Sequence, residues 1–409
     1  MVWFCRISVM TVLAWIAALS LAIWIYLLSS QGDFWRARER DDLDEDRLPV
    51  PEVWPAVAVV IPARNEAESI GQVVESLCRQ DYAGRLRIVV VDDQSNDGTA
   101  DLAREAATRA AADGFNRRVD VLSGQPLPGG WTGKMWAVRQ GVAFASDPGT
   151  NDDGIAPDYL LHTDADIAHT PENVRRLVTR ATGDKRVLVS LMAKLRCTAW
   201  FERTLIPAFV LFFQMLYPFA WVNDPKKRMA AAAGGCMLIH RASLEAGGGI
   251  EAIRDEIIDD CAMGRLLKKQ GAIWLGLTER AISVRPYDNL GEIRKMVSRT
   301  AYAQLRYSPV LLAGTIVSLL LTFIVPPVMT LFASGIAQWL GLFAWIAMTL
   351  SYLPMLRFYR QPSSFGPLLP LVAALYTVFT FDSALQHWRG RGGMWKGRAQ
   401  ARGQQSSDV

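Results

Sequence analysis

The chain has 409 residues, of which 51% are hydrophobic, and its mean hydropathy is +0.13. This value is high for a wholly soluble protein, and the length fits one soluble domain of about 250–300 residues with added membrane segments. The 44 basic and 40 acidic residues nearly balance, which argues against a nucleic-acid-binding protein. Five scattered cysteines without a Cys-x-x-Cys pair, and four histidines without metal-ligand spacing, argue against a disulfide framework and a zinc site.

An uncharged run over residues 9–28 is long enough to span a bilayer, and we interpret residues 1–32 as an uncleaved anchor. A signal peptide is the alternative, but the run exceeds a typical signal h-region and no clear cleavage site follows it. More arginines follow the run than precede it, so the positive-inside rule places the next segment in the cytoplasm. Residues 33–54 are charge-dense and are expected to form an exposed juxtamembrane linker.

From residue 57 onward, short apolar runs alternate with helical patterns. Strands are predicted at 57–62, 86–91, 119–122, 160–163 and 187–193, and helices ending near 78 and spanning 99–112 and 135–145. Alternation of this kind predicts a doubly wound, mostly parallel sheet, which is a Rossmann-like α/β fold. Two glycines near 234 mark a close backbone approach before another strand, and a helix is expected to start near 259.

The segment Thr163-Asp-Ala-Asp166 lies just past the end of a buried strand, where open α/β sheets bind ligands. Two carboxylates at this spacing can reach one cation, and Mg²⁺ or Mn²⁺ would keep positions open for diphosphate oxygens. Asp-x-Asp alone is a weak signal, because the chain repeats it at Asp42 and Asp44 in a charged run. The strand before the motif and the helix start after it favour a metal–diphosphate site over a plain turn at Asp164.

Apolar and aromatic residues, interrupted by two prolines, fill about 199–222, where we expect an interfacial helix rather than a span. Two apolar spans are predicted at 310–334 and 336–354, and a third, less pure, at 368–388. With four spans, the basic tail 389–409 would lie outside, against the positive-inside rule. Either the last segment is re-entrant or interfacial, or the rule fails here; a cytoplasmic tail is favoured.

Five motifs, in order, resemble those of the membrane-bound family-2 glycosyltransferases, which have the GT-A fold. They are Val59-Val-Ile-Pro-Ala-Arg-Asn-Glu66, Val91-Asp-Asp-Gln-Ser-Asn-Asp-Gly-Thr99, Thr132-Gly-Lys134, Thr163-Asp-Ala-Asp166 and Asp259-Asp260. Within that group the chain is most similar to the bacterial hopene-associated glycosyltransferases. The softer likeness rests on Pro128-Gly-Gly-Trp-Thr-Gly-Lys134, on residues 299–309 and on Trp395-Lys-Gly-Arg398. Ceramide glucosyltransferases are more distant.

The resemblance implies an inverting transfer of one sugar from a nucleotide donor, expected to be a UDP-sugar, to a membrane lipid in hopanoid biosynthesis. It implies a cytoplasmic GT-A domain over residues 55–308 on the bacterial inner membrane, followed by transmembrane or re-entrant helices over 309–388. It also implies Mg²⁺ or Mn²⁺ as cofactor. Association with other hopanoid-pathway enzymes is compatible with it, and no nucleic-acid partner is expected.

The resemblance also assigns roles to residues. Asp260 is the general base, with Asp259 as the alternative, and Asp166 holds the metal, with Asp164 on the metal or the ribose. The donor-binding residues, with Asp93 on the uracil, are Pro62, Arg64, Glu66, Asp92, Asp93, Lys134, Asp164 and Arg299. Burial in an enclosed site would raise the pKa of the base and suit it to proton abstraction.

The family's downstream Gln-x-x-Arg-Trp motif is not intact, because Met296-Val-Ser-Arg-Thr300 stands in its place and only Arg299 matches. This departure argues for a single transfer rather than polymer synthesis. Arg299 would clamp diphosphate, or alternatively contact lipid headgroups. His162 and His240 are expected to be hydrogen-bonded strand residues rather than ligands.

Alternatives stay open, both for single residues and for the whole protein. The sole role of Asp259 and Asp260 could be to cap a helix, and that of Asp92 and Asp93 to shape a turn. The enzyme could be a polyprenyl-phosphate sugar synthase, whose phosphate acceptor needs no strong base, or a ceramide-type glucosyltransferase. The chain could also be a membrane scaffold with a degenerate transferase fold, although its acidic motifs are all intact.

Overall fold

The computed structural model describes residues 2–43, 47–390, 394–395 and 398–399, with side chains over 10–43 and 47–390. These residues form two compact units. The first contains residues 2–38, 197–220 and 287–390; the second contains most of 39–196 and 221–286. These boundaries differ from the predicted ones, because 199–220 and 287–308 group with the apolar helices of the first unit. Most of the predicted basic tail lies outside the described residues.

Helices make up all of the first unit's regular structure and alternate with strands in the second. In chain order they are α1 Val2–Ser30, α2 Ile70–Cys78, α3 Thr99–Ala112, α4 Gly133–Ser146, α5 Asn173–Gly183, α6 Trp200–Leu216, α7 Phe219–Asn223, α8 Arg241–Ala246, α9 Asp259–Lys268, α10 Leu290–Gln304, α11 Pro309–Leu319, α12 Val325–Phe332, α13 Ile336–Phe358 and α14 Leu369–Trp388. A π-helical turn, Leu320–Ile324, joins α11 to α12.

One eight-stranded sheet organises the second unit within the described residues. Its strands are β1 Val57–Ala63, β2 Leu86–Asp92, β3 Arg118–Ser123, β4 Tyr159–Thr163, β5 Ile167–His169, β6 Leu188–Lys194, β7 Cys236–His240 and β8 Ile273–Ser283. The strand order is β3-β2-β1-β4-β7-β6-β8-β5, and only β7 and β5 run against the others. The prediction of a mostly parallel, Rossmann-like sheet is therefore confirmed.

Strand β1 is buried at every position, as a parallel strand covered on both faces requires. Side chains of α2, α3 and α5 join one continuous core against one face of the sheet. Helix α4 approaches the opposite face at Gly141, where an added Cβ would lie 2.5 Å from Val60 Cγ1. The parallel strands β1, β2 and β4 are adjacent, so their carboxyl ends meet at one edge.

The sequence patterns did not predict β5 or β8. The prediction that residues 33–54 form an exposed linker is wrong in part. The backbone of residues 39–41 bonds to β8 through Leu277, whose N–H donates to Glu39 O at 2.8 Å. Asp41 is buried, and its carboxylate accepts a hydrogen bond from Thr278 Oγ1 at 2.7 Å and faces Arg280 Nη1 at 3.0 Å. The linker is thus not exposed throughout, because residues 39–41 pair with β8 at Leu277.

Four helical segments of the first unit are long and apolar enough to cross a membrane: Met10–Ser30, Pro309–Phe332, Ile336–Phe358 and Ser363–Trp388. Helix α6 has only 17 residues, fewer than the roughly 20 that a span needs. Its predicted place in the membrane interface and the sidedness of the termini stay predictions.

Two prolines after the π-helical turn leave two of its carbonyls without a backbone donor. In a π-helix each carbonyl accepts from the N–H of the residue five positions later. For Leu321 and Thr322 those residues are Pro326 and Pro327, which lack an N–H. Side chains of α1 supply the missing donors. Ser20 Oγ donates to Leu321 O at 2.7 Å, and Trp24 Nε1 donates to Thr322 O at 2.7 Å.

Candidate active site

Acidic residues gather at the carboxyl edge of the sheet in the second unit. Asp92 ends β2, and Asp164 and Asp166 occupy the short turn from β4 to β5. Asp259 and Asp260 form the first turn of α9. This is the edge at which open α/β sheets place ligands, as the sequence predicted.

A chain of buried hydrogen bonds holds the turn that carries Asp164 and Asp166. Asn173 Nδ2 lies 2.7 Å from His169 Nδ1, and His169 Nε2 lies 3.0 Å from Thr163 Oγ1. Thr163 Oγ1 in turn donates to Gly235 O at 2.8 Å. The last residue of β4 is thus fixed against both β5 and the segment that leads into β7.

Lys134 connects two acidic motifs that lie far apart in the sequence. Its Nζ is 3.0 Å from Asp164 Oδ1 and 3.0 Å from Asp259 Oδ2. Burial alone would lower the pKa of Lys134, but the two carboxylates outweigh it and hold the pKa above its ordinary value. Lys134 is therefore a fixed positive charge in the site.

Thr132 sets the position of Lys134 at the start of α4. Its Oγ1 accepts a hydrogen bond from the backbone N–H of Met135 at 3.3 Å, an N-cap that begins the helix. Its own backbone N–H donates to Arg254 O at 2.9 Å. Arg139 Nε reaches Glu251 Oε1 at 2.5 Å, so α4 is tied twice to the segment that precedes Asp259.

The Asp260 carboxylate accepts two backbone hydrogen bonds, from Gly234 at 3.1 Å and from Cys261 at 2.7 Å. Burial, and after it the neighbouring Asp259 charge, raises the pKa of Asp260 to about 6. Lys134 pairs with Asp259 and only partly offsets the rise at Asp260, so the pKa of Asp260 is suited to accept a proton at neutral pH. Helix capping alone does not require this burial.

Gly264 explains how Asp260 comes so near Gly234. A Cβ on Gly264 would lie 2.7 Å from the backbone carbon of Ala231, so only glycine lets α9 approach this segment. Ser190 Oγ fixes the same segment, because it accepts from Ala233 N at 2.8 Å and donates to Ala233 O at 3.1 Å.

Asp166 lies in a cluster of negative charge. Burial raises its pKa to about 6, with further increases from Asp164 and Glu66, while Arg285 opposes the shift. Such mutual repulsion favours a bound cation. Among the residues that the structure describes, no three His, Cys, Asp or Glu side chains are placed to hold an ion by themselves. Two carboxylates fit Mg²⁺ or Mn²⁺ whose other ligands come from substrate phosphates and water.

The predicted donor-binding residues at the ends of β1 and β2 form a second group. Pro62 is its first member and lies next to the last residue of β1. The Asp93 side chain is fully buried, with Arg64 Nη1 3.7 Å from Asp93 Oδ2 and also donating to the Asp93 carbonyl. Asp92 Oδ1 accepts from Ser95 N at 3.3 Å. Contact between Asp93 and a uracil stays a prediction, since the Asp93 side chain is fully buried in this structure.

The loops after β1 and β2 support each other through polar contacts. Glu66 N donates to Thr99 Oγ1 at 2.9 Å, and Asn65 N donates to Ser95 Oγ at 2.9 Å. Asn65 has φ 50°, a left-handed conformation that asparagine tolerates better than most residues. These bonds fix the backbone at Glu66, whose side-chain charge acts on Asp166.

Arg299 belongs to a different unit from the acidic residues. It is an exposed residue of α10, and α10 belongs to the first unit. Its predicted role as a diphosphate clamp stays a prediction.

Two residues that sequence reasoning passed over or undervalued belong to the site. His162 is buried on β4, and neither ring nitrogen has a hydrogen-bond partner among the described residues, so the expectation that it is satisfied is wrong. Burial, and then Lys134, lowers the pKa of His162 to about 4, which keeps the ring neutral. His240 matches its expectation, with Nδ1 2.9 Å from Ser243 Oγ. Arg285 was missed because no motif surrounds it.

Comparison with known families decides the classification. The family model "Glycosyl transferase family 2" matches residues 58–248, and "Glycosyl transferase family 21" matches residues 155–400, more than half of the chain. The chain belongs to glycosyl transferase family 21. The matched ranges together include Asp92, Lys134, Asp164, Asp260 and the apolar helices that follow α10.

Curated relatives cover a smaller part of the family 21 chain. One is the 4,4'-diaponeurosporenoate glycosyltransferase of Staphylococcus haemolyticus, 27% identical over 139 residues, which are 34% of this chain and 32% of the relative. Another is the undecaprenyl-phosphate 4-deoxy-4-formamido-L-arabinose transferase of Edwardsiella ictaluri, 32% identical over 149 residues, 36% of this chain and 40% of the relative. The chain thus spans well under half the length of these relatives.

A solved structure extends the fold comparison to nearly the whole family 21 chain. It is a mannosyltransferase from Pyrobaculum calidifontis in complex with GDP-Man and Mn²⁺, and the alignment covers 92% of this chain and 99% of that one. The TM-score is 0.54 at 18% sequence identity, so the likeness establishes the fold alone. It confirms the predicted GT-A architecture with accompanying apolar helices.

Proposed function

We propose that this protein transfers one sugar from a nucleotide-sugar, a UDP-sugar by preference, to a hydroxyl group of a membrane lipid, with inversion at the anomeric carbon. The observation that carries the proposal is the partly buried assembly of Asp164, Lys134, Asp259 and Asp260. It joins a carboxylate whose pKa is about 6 to a carboxylate–lysine pair beside the Asp164/Asp166 turn. A scaffold would gain nothing from burying these charges.

The proposed chemistry needs one base and one charged cradle for the leaving group. The acceptor oxygen attacks the anomeric carbon as its proton passes to Asp260, and the bond from that carbon to the diphosphate oxygen breaks. Gly234 N and Cys261 N orient the Asp260 carboxylate, and Lys134 pairs with the neighbouring Asp259. Asp164 and Asp166 would hold Mg²⁺ or Mn²⁺, which would supply Lewis-acid stabilisation of the diphosphate charge.

The acceptor is proposed to be a hopanoid lipid. The apolar helices support a lipid acceptor, and the resemblance through Pro128 to Lys134 supports the hopanoid class. One relative acts, by its name, on undecaprenyl phosphate, which favours a second candidate in which a polyprenyl phosphate is the acceptor. That acceptor is already an anion and needs no base, so the two candidates make different demands on Asp260.

The experiment that tests the proposal is nucleotide release by the full-length protein purified in detergent. A panel of UDP-sugars and GDP-mannose would be supplied with Mg²⁺ or Mn²⁺, each with and without hopanoid, ceramide or polyprenyl phosphate. Release stimulated by one lipid, and lost in excess chelator, is expected. Binding of nucleotide without release for any pair would refute the transferase proposal for these acceptors, and full activity in chelator would refute the metal.

A further inference from the structure

Arg285 lies beside Asp166 because β8 pairs with β5, although the two residues are far apart in the sequence. It follows β8 by two residues, and β8 pairs antiparallel with β5 so that Ser283 is opposite Ile167. The backbone N–H of Val284 donates to Asp166 O at 2.9 Å, which continues this pairing into the acidic turn. Arg285 and Asp166 both belong to the second unit.

The cations around the acidic cluster differ in what they contact. Lys134 is held by Asp164 and Asp259, and Arg64 faces Asp93. Arg285 is exposed and has no ion pair or hydrogen bond from its side chain within the described part of the chain. It still acts on Asp166 electrostatically, against the like charges of Asp164 and Glu66. Its guanidinium donors therefore remain available to a ligand at the rim of this cluster.

We infer that Arg285 binds a phosphate group of the substrate beside Asp166. A guanidinium presents two parallel N–H donors that match two phosphate oxygens, and phosphate held here would sit between Arg285 and the carboxylates that are proposed to hold the metal. The inference rests on the proposed function. The phosphate could belong to the nucleotide's diphosphate or to a lipid-phosphate acceptor, and both would use the same contact.

The test measures binding of UDP, UMP and uridine to the full-length protein in detergent with Mg²⁺, by calorimetry. Arg285→Gln removes the charge, Arg285→Lys keeps the charge without the planar fork, and Arg104→Gln on the exposed face of α3 is the matched control. For Arg285→Gln the affinity for UDP is expected to fall about tenfold or more, while uridine binding is unchanged. The UDP affinity of Arg285→Lys is expected to lie between those of Arg285→Gln and the wild type. The affinity of Arg104→Gln is expected to match the wild type.

A second arm gives the source of the phosphate. The KM for undecaprenyl phosphate is compared with that for a hydroxylated lipid in the same variants. A rise confined to undecaprenyl phosphate, with UDP binding intact, would support the contact and assign it to the acceptor. Unchanged UDP affinity together with unchanged KM for both acceptors would overturn the inference. If the wild type binds no nucleoside diphosphate at all, the proposed function itself fails, and the two failures are thus distinguishable.

Discussion

Asp259 and Asp260 are neighbours in sequence, but their carboxylates have different surroundings. Asp259 Oδ2 contacts Lys134 Nζ at 3.0 Å, whereas Asp260 is oriented by the backbone N–H groups of Gly234 and Cys261. The Lys134 ammonium occupies the Asp259 carboxylate, whereas burial raises the pKa of Asp260 to about 6. This difference favours Asp260 as the base.

Asp260→Asn is therefore expected to lower kcat by about 100- to 10,000-fold, the range typical of losing a positioned base. The amide is nearly isosteric, so nucleotide affinity should change little. Steady-state nucleotide release together with UDP binding would measure both quantities. Asp101→Asn, on the exposed face of α3, is the control and should retain full activity. Retained transfer to polyprenyl phosphate by Asp260→Asn would favour the second candidate function.

The pH dependence follows from the pKa of Asp260, which burial and then Asp259 raise to about 6. A base works only when it is deprotonated, so kcat/KM should be constant above pH 7 and fall as the pH drops through about 6. Below that value the loss should approach about tenfold per pH unit. Rates measured from pH 4.5 to 8.5 at fixed Mg²⁺ would test this, and a flat profile down to pH 5 would exclude Asp260 as the titrating base.

Helix α9 carries Asp260 into place because Gly264 allows a close approach to the segment before β7. An alanine Cβ would lie 2.7 Å from the Ala231 carbonyl carbon and 2.9 Å from its oxygen, and neither is a flexible side-chain atom. The helix must therefore shift away, and the hydrogen bond from Gly234 to Asp260 lengthens.

Gly264→Ala is expected to destabilise the second unit by about 1–3 kcal/mol and to reduce kcat. Gly71→Ala in α2 is the matched control, since the nearest atom to its Cβ is the end of the Arg109 side chain at 3.7 Å. That change should be neutral or slightly stabilising, because alanine favours helix. Denaturation followed by a probe in the second unit would compare the variants, and equal stability of both would contradict the close-approach argument.

The π-helical turn between α11 and α12 depends on α1 for its hydrogen bonds. Trp24 is buried, its indole N–H donates to Thr322 O at 2.7 Å, and its ring meets Phe323 edge-on at 5.6 Å. Trp24→Phe keeps an aromatic ring but leaves the carbonyl without this donor, which should cost about 1–3 kcal/mol. Thermal unfolding in detergent measures the loss. Trp15→Phe, at a site 73% exposed, should leave the melting temperature unchanged, and equal shifts would contradict the assignment.

Charge distribution around the first apolar helix predicts how the whole molecule sits in the membrane. The arginines that follow the uncharged run 9–28 outnumber Arg6, which precedes it, so the positive-inside rule predicts that the second unit lies on the cytoplasmic side. UDP-sugars do not cross bilayers unaided, so sealed inverted membrane vesicles should release UDP from added donor. Sealed right-side-out vesicles should become active only after detergent is added. Equal activity in both intact preparations would show that the predicted orientation is wrong.

The sequence by itself determined the local periodicities. Three kinds of element were predictable, because each is encoded by neighbouring residues. They are apolar runs such as Val57–Ala63, the helix Thr99–Ala112, whose bounds match the prediction, and the long apolar spans. The acidic motifs at Asp92 and Asp164 were also predictable, since strand ends at one edge of a parallel sheet must lie together. The role of Asp259 and Asp260 was predicted only from the family resemblance.

Only the tertiary structure decided which charges meet. Lys134 lies between Asp164 and Asp259, and Arg285 lies beside Asp166, because strand order and the β5–β8 pairing bring distant segments together. Local patterns carry no information about such pairings. The raised pKa of Asp260 likewise depends on burial beneath atoms remote in sequence, made possible by Gly264. Electrostatic environment is a property of packing, and packing is settled only when the whole chain has folded.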